Sequence, residues 1–282
     1  MTSKKYDFSG KVALITGTTY SSKPMTSSSL KLLKLFLNVG SSGGIGGAVA
    51  IQFAKCHAKV VITGHLEADV EKMVTAVEAI SGEKPLALVG DLTSDAFAAR
   101  LVSETVAKYG RIDVLFNNAG RLCPGGSFLD PALLEQFDLL MSLNVRSLVK
   151  MTHLCVPHLQ RSKGNIINTA SIASYLPVVN TVYSTSKAAV QMITKCAAVD
   201  LGPLGIRVNS VNPGPIRTPI GASMNCPEIL DDPAKNPLVP HTVMKRFGEA
   251  DEVANLVLYL ASSEAEYITG SHFVVDGGYM CL

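Results

Sequence analysis

Two residues at one spacing carry the first chemical signal. In Tyr183-Ser-Thr-Ser-Lys187 a phenol and an ammonium lie four residues apart, which on a helix puts them on one face, one turn from each other. A phenol with an ordinary pKa near 10 is a poor base at neutral pH, and lowering it one unit takes about 1.4 kcal/mol of preferential phenolate stabilisation. A nearby positive charge such as that of Lys187 can supply it. The spacing alone recurs by chance in many helices, so it gains meaning only from what surrounds it. A second signal is a set of glycines. Gly17 ends an apolar run, and Gly43-Gly44-Ile45-Gly46 opens a helical pattern. Glycines in such a place let a chain turn sharply, bring backbone amides up to a pyrophosphate and pack a helix closely on a sheet, with the helix N-terminus facing the anion.

These residues need elements to hold them. Short β-branched runs predict strands over 12–16, 60–63, 86–89, 114–116, 166–169, 208–211 and 273–275. Between them the apolar periodicity predicts helices over 45–55, 66–80, 96–109, 132–160, 182–201 and 251–261. Several strands are continuously apolar, as in a parallel sheet covered on both faces. The fold class expected is therefore α/β: a doubly wound, seven-stranded parallel sheet flanked by helices on both faces, with ligands at the carboxyl ends of the strands. No Pro- or Ser-rich linker divides the pattern and no repeat is visible, so one domain over 1–282 is expected.

Composition narrows the function classes. Of 282 residues, 47% are apolar and 17% charged, which argues against a disordered chain. Lys plus Arg total 25 against 23 Asp plus Glu, and a net charge of +2 gives no field suited to nucleic acid. The six cysteines, Cys56, Cys123, Cys155, Cys196, Cys226 and Cys281, are scattered without a C-x-x-C pair or a neighbouring His, so neither a metal site nor a disulfide framework is expected. No membrane-length apolar run and no leader pattern is seen, and the expected address is the cytoplasm.

One segment interrupts the rhythm. Residues 18–40 separate Gly17 from Ser41-Ser42-Gly43-Gly44, and within them 30–39 is apolar apart from Lys31, Lys34 and Asn38. An inserted surface loop with a helical turn is the plain reading; an amphipathic membrane-touching helix has only two lysines to support it. With 18–40 removed in thought, the join reads T-G-S-S-G-G-I-G, the spacing TGxxxGxG.

With that join the chain resembles the short-chain dehydrogenases/reductases, and further motifs agree in order and spacing. Asp91-Leu92-Thr93 follows the third strand, Asn117-Asn118-Ala119-Gly120 the fourth, and Asn144 lies in Leu143-Asn144-Val145. Ser171 ends the fifth strand, Tyr183 and Lys187 follow it, Asn212-Pro213-Gly214-Pro215-Ile216-Arg217-Thr218 follows the sixth strand, and Val275-Asp276-Gly277-Gly278 lies near the end. The resemblance covers 11–279 apart from the insertion and extends to the branch that contains 3-oxoacyl-carrier-protein reductases. It implies a Rossmann-type domain and an NAD(P)(H)-dependent oxidoreductase interconverting a ketone or aldehyde and an alcohol. It further implies that Tyr183 exchanges the proton with the substrate oxygen, Ser171 hydrogen-bonds that oxygen, Lys187 holds the nicotinamide ribose, and Asn144 holds a relay water. Ser171 stands twelve residues before Tyr183, one fewer than the commonest family spacing, so Ser174 is kept as the alternative.

Cofactor contacts implied by the same resemblance are Gly17, Ser42, Gly44, Ile45, Gly46, His65, Asp91, Leu92, Asn118, Ala119, Gly120, Tyr183, Lys187, Pro213, Gly214, Ile216 and Thr218. The second strand ends Thr63-Gly64-His65 without the acid that repels a 2′-phosphate, so NADP(H) is preferred over NAD(H). His65 could bond that phosphate or be an ordinary exposed histidine. Substrate contacts are expected from 121–126, 175–179 and a family-like lid over 220–244, whose Met224, Ile229, Leu230, Leu238 and Val239 suggest either an apolar pocket for a small-molecule carbonyl or alcohol, or lid packing. The helices over 132–160 and 182–201 are expected to pair across a homodimer or homotetramer, as is common in the family. Set against the enzyme reading is a catalytically silent dinucleotide-binding or scaffold protein, because the insertion falls in the phosphate-binding turn. That segment could loop outward, obstruct the adenosine half, or be a remnant of an unspliced coding sequence.

Overall fold

The computed structural model describes residues 6–17, 44–123, 125–218 and 237–282. The expected 18–40 insertion, Ser42 and most of the expected lid lie outside the described residues. The strands are β1 (Val12–Ile15), β2 (Lys59–Gly64), β3 (Leu86–Val89), β4 (Val114–Asn117), β5 (Asn165–Thr169), β6 (Arg207–Pro213), β7 (Ile216–Arg217), β8 (Gly248–Glu249) and β9 (His272–Val275). Seven of them form one sheet in the order β3-β2-β1-β4-β5-β6-β9, every neighbouring pair parallel. The short β7 and β8 pair with each other beyond the carboxyl end of β6.

The continuous apolar runs arise because each strand is buried on both sides. In β1, Ala13 and Ile15 face a core built with Val49 and Phe53 of α1 (Ile45–Lys55), Val70 and Val74 of α2 (Glu67–Ser81), and Val253 and Val257 of the last helix. Val12 and Leu14 face the opposite core with Leu101 of α3 (Asp95–Tyr109) and Met151 and Leu159 further along the chain. Period-two alternation thus sends one strand's side chains into two separate cores, each large side chain worth about 1.5–3 kcal/mol when fully buried. The sheet's lower edge is pinned by Asp113. Its carboxylate accepts from Val12 N at 3.0 Å and from Arg111 Nε at 2.8 Å, fixing β1 against β4.

The single helix expected over 132–160 is instead a succession. α4 (Leu133–Leu140) passes into a π-helical turn (Met141–Arg146) and then α5 (Ser147–Ser162), all without a break. A π turn widens the helix by one residue and leaves the following face rotated, and here it carries Asn144. α6 (Thr181–Leu201) and α7 (Ala250–Ala261) lie close to their expected bounds. α6 begins at Asn180, whose Oδ1 accepts from Tyr183 N at 2.8 Å as an N-cap.

Candidate active site

Because all seven strands run the same way, the segments that leave their carboxyl ends meet along one edge. The chain reverses its direction of travel across the sheet between β1 and β4, the switch point at which such sheets bind ligands. Gly17 follows β1 there with φ +64°, and a Cβ on it would fall 2.6 Å from Ala119 Cα. Gly46 is as tightly placed, since a Cβ would stand 2.6 Å from both Gly17 O and Asn118 Nδ2. Side chains are thus excluded where a phosphate would need to reach backbone. α1 begins at Gly44 without a side-chain cap and without an acidic residue in its first turn, so its N-terminal amides and positive dipole end are available to an anion. The predicted Gly17, Gly44, Ile45 and Gly46 form this cradle, and they fit a dinucleotide pyrophosphate. Gly17 and Gly46 meet although residues 18–45 separate them in sequence, so the flanks of the expected insertion are held together.

The wall opposite comes from β4. Asn118 donates from Nδ2 to Gly17 O at 2.9 Å, and its backbone N donates to Thr16 Oγ1 at 3.1 Å, as does Ala119 N at 3.2 Å. Thr169 Oγ1 of β5 donates to Asn118 Oδ1 at 3.3 Å, so the amide orientation is fixed from both sides. His65 follows β2, and Asp91 and Leu92 follow β3; Asp91 is exposed and accepts from Thr93 N at 2.8 Å, while Leu92 packs into the core. At the far end Gly214 N donates to Val275 O at 2.9 Å, and Ile216 and Thr218 are buried beyond Pro213.

Four predicted residues converge between β4, β5 and α6. Tyr183, Ser171, Asn144 and Lys187 are 7%, 8%, 1% and 3% exposed, so the group is desolvated throughout. The Ser171 side chain lies close enough to the Tyr183 phenol to favour its ionised form, and its Oγ accepts from Ala173 N at 3.1 Å, whereas the alternative, Ser174, has a buried hydroxyl without a hydrogen bond. Lys187 Nζ donates to Thr169 O at 2.8 Å and stands 5.7 Å from the Tyr183 ring centroid. Asn144 spends its amide on structure: Oδ1 accepts from Arg121 N at 2.9 Å, and Nδ2 donates to Arg121 O and to Ser186 Oγ, each at 3.0 Å. Gly120 fits between, where a Cβ would meet Asn144 Oδ1 at 3.2 Å and Lys187 Nζ at 3.3 Å. Around the phenol pack Leu122, Cys123, Leu140, Ala173 and Val182.

The sequence reading missed several supports. Thr16 joins the two halves of the wall. Asn180 caps α6 and also donates to Cys123 O at 3.0 Å, and an Asn three residues before a helical Tyr is a readable N-cap signal. Ser186, one turn after Tyr183, donates to Tyr183 O at 2.8 Å and is the partner of Asn144. Among the described residues no cluster of His, Cys, Asp or Glu could hold a metal ion.

A family model described as "Enoyl-(Acyl carrier protein) reductase" matches residues 39–280. The chain is 37% identical to "Dehydrogenase/reductase SDR family member 6" of Rattus norvegicus, over 87% of this chain and 97% of that one. It is 36% identical to a glucose 1-dehydrogenase of Gluconobacter oxydans, over 87% and 91%. The chain belongs to the short-chain dehydrogenase/reductase family. A 3-oxoacyl-[acyl-carrier-protein] reductase of Thermotoga maritima is 34% identical over 87% of this dehydrogenase/reductase and 97% of its own length. Among solved structures, a short-chain dehydrogenase/reductase from Caenorhabditis elegans, with cofactor, superposes with a TM-score of 0.82 at 29% identity, covering 98% and 97%. This dehydrogenase/reductase is thus an NAD(P)(H)-dependent oxidoreductase that interconverts a carbonyl compound and an alcohol by hydride transfer; the reading as a silent scaffold finds no support.

Electrostatically the site departs from expectation. Burial pushes the Tyr183 phenol up to about 12, opposed by the nearby Ser171 side chain, and burial brings the Lys187 ammonium down to about 8. The expected lowering of the phenol by Lys187 does not occur in this arrangement, because desolvation dominates and the ammonium is directed at the Thr169 carbonyl. Both groups are driven toward neutrality. Lys187 is an ordinary amine near 10.5 in the unfolded chain, so between pH 8 and 10.5 the unfolded chain binds the extra proton and stability rises with pH. Relative to Lys187→Met, the wild-type dehydrogenase/reductase should gain about 2 kcal/mol of unfolding free energy between pH 7 and 9.5 in urea titrations. Parallel pH dependences of the two proteins would show that the amine is not desolvated.

Proposed function

We propose that Tyr183 is the acid/base of the reaction, and the observation that carries this is its buried phenol beside Ser171 and one helical turn from Lys187. The bound nicotinamide supplies or accepts the hydride. In the reducing direction the phenol is fully protonated across physiological pH and donates to the oxygen of the carbonyl as negative charge develops there. Ser171 hydrogen-bonds the same oxygen and limits where it can sit. Lys187 is assigned to the nicotinamide ribose and, when charged, stabilises the phenolate left after transfer. Asn144 holds the Arg121 backbone and Ser186, and through them the space beside Gly120 and Lys187 where a relay water would stand.

For the cofactor we infer that Gly17, Ser42, Gly44, Ile45 and Gly46 take the pyrophosphate. Asp91 and Leu92 take the adenine, and Asn118, Ala119 and Gly120 form the wall. Tyr183 and Lys187, with Pro213, Gly214, Ile216 and Thr218, hold the nicotinamide half. β2 ends at Gly64 with the half-buried His65 and no acid, which favours NADP(H). The apolar residues around Tyr183 favour an apolar substrate, and buried Val239 at the described end of the lid segment agrees with this. We read the chain as one domain carrying an insertion at about 18–40 and acting in the cytoplasm. We also infer a homodimer or homotetramer joined by α4, α5 and α6, since Val149, Met192 and Val199 leave apolar side chains 45%, 60% and 75% exposed on α5 and α6.

Three measurements test these assignments. Tyr183→Phe should lower ketone reduction, followed by nicotinamide absorbance, at least about 1000-fold with cofactor affinity nearly unchanged; retained turnover excludes the assigned role. Fluorescence titration of the full chain should give tighter binding of NADPH than NADH, and His65→Asp should reverse the order; an unchanged ratio removes His65 from the phosphate site. Light scattering at micromolar concentrations should give twice or four times the chain mass, and a monomer throughout overturns the assembly.

A further inference from the structure

β6 carries two wholly buried polar side chains, Ser210 and Asn212, and its neighbour β9 carries His272 directly opposite Ser210 in register. These three residues join into a chain of hydrogen bonds that ends on the catalytic peptide. Asn212 Nδ2 lies 3.3 Å from Ser171 O. Ser210 Oγ lies 2.8 Å from Asn212 Oδ1, and His272 Nδ1 lies 2.7 Å from Ser210 Oγ.

The donors can be assigned from the Ser171 end. A peptide carbonyl only accepts, so the Asn212 atom facing Ser171 is its NH2, and the atom facing Ser210 is its carbonyl oxygen. That oxygen in turn only accepts, so the single hydroxyl proton of Ser210 is committed to it. Ser210 therefore accepts from His272, which carries its proton on Nδ1. The other ring nitrogen, Nε2, is then the lone-pair nitrogen, and it is buried without a hydrogen bond. An apolar residue would fill this place without the cost of a desolvated lone pair. What the imidazole supplies is the Nδ1–H.

We propose that His272 is a positioning residue for Ser171. It acts through Ser210 and Asn212, and the directed chain, together with Ser174 N donating to Ser171 O at 3.0 Å, fixes the peptide plane that carries the Ser171 side chain. The inference rests on the reading of Ser171 as the group that hydrogen-bonds the substrate oxygen.

The test uses the full chain, saturating NADPH and a ketone that the wild type reduces. Asn at 272 places an amide N–H where Nδ1 stands, whereas Leu has similar bulk and no donor. His272→Leu should lower kcat about tenfold, with the KM for NADPH unchanged, and His272→Asn should restore it to within about twofold of wild type. Equal kcat in the Leu and Asn variants overturns the proposal. In the wild type, 15N NMR of the imidazole should show the Nδ1-protonated tautomer, with a shift at Nδ1 on Ser210→Ala. A proton on Nε2 overturns the assignment even if the Leu variant does not fold. Ser171→Ala separates the two levels. If that variant keeps full turnover, the role of Ser171 is wrong; if it loses turnover while His272→Leu keeps it, only the relay through β6 is wrong.

Discussion

The parallel direction of all seven strands is the constraint on which the site depends. It brings Gly17, His65, Asp91, Asn118, Ser171 and Pro213, spread over nearly 200 residues of sequence, to one edge of one sheet. Parallel pairing requires crossovers, the crossovers are helices, and helices on both faces bury every central strand. The apolar cores are therefore a consequence of the same arrangement that lines up the functional loops. At the switch point the approach is so close that β1 and β4 meet backbone to backbone at Gly17 and Ala119. Thr16 and Asn118 then tie the two turns into a single wall.

Against that rigid edge the proposed acid/base pair is held at a thermodynamic cost. Both the phenol and the amine are taken out of water, and each shifts toward its neutral form. Folding pays for this with packing elsewhere, since Lys187 would be more stable exposed. The gain is a phenol that stays protonated and an amine whose charge responds strongly to what is placed beside it. The hydrogen bond from Lys187 to the Thr169 carbonyl, the cap at Asn180 and the π turn at Asn144 keep these groups in place while they are poorly solvated. Each of these supports belongs to a different element, so the site is a junction of β4, β5, α6 and the π turn.

Twenty-six residues separate Gly17 from Gly44 at the switch point. Extending a turn of about 3 residues to about 26 costs only roughly 2 kcal/mol of closure entropy, small beside the burial in two cores. The two ends of the segment meet because Gly46 packs against Gly17 O and Asn118. The order of this turn thus resides in its flanks, in Thr16, Gly17, Gly46 and Asn118.

Local chemistry is what the amino-acid sequence determined by itself. Continuous apolar runs announced buried parallel strands, and the bounds of α1 and β3 were readable to the residue because their patterns are strong and local. That Tyr183, Lys187, Ser171 and Asn144 belong to one group was legible for the same reason, as motif spacing is a property of neighbours in sequence, and the fold buries all four. The tertiary structure decided what depends on neighbours in space. It broke the helix expected over 132–160 with a π turn, and it set the Ser171 side chain near the phenol. It also replaced an expected lowering of the Tyr183 pKa with a rise, because burial and the direction of an ammonium are set by packing and not by spacing. The chain from His272 to Ser171 spans 101 positions and exists only because β6 lies beside β9.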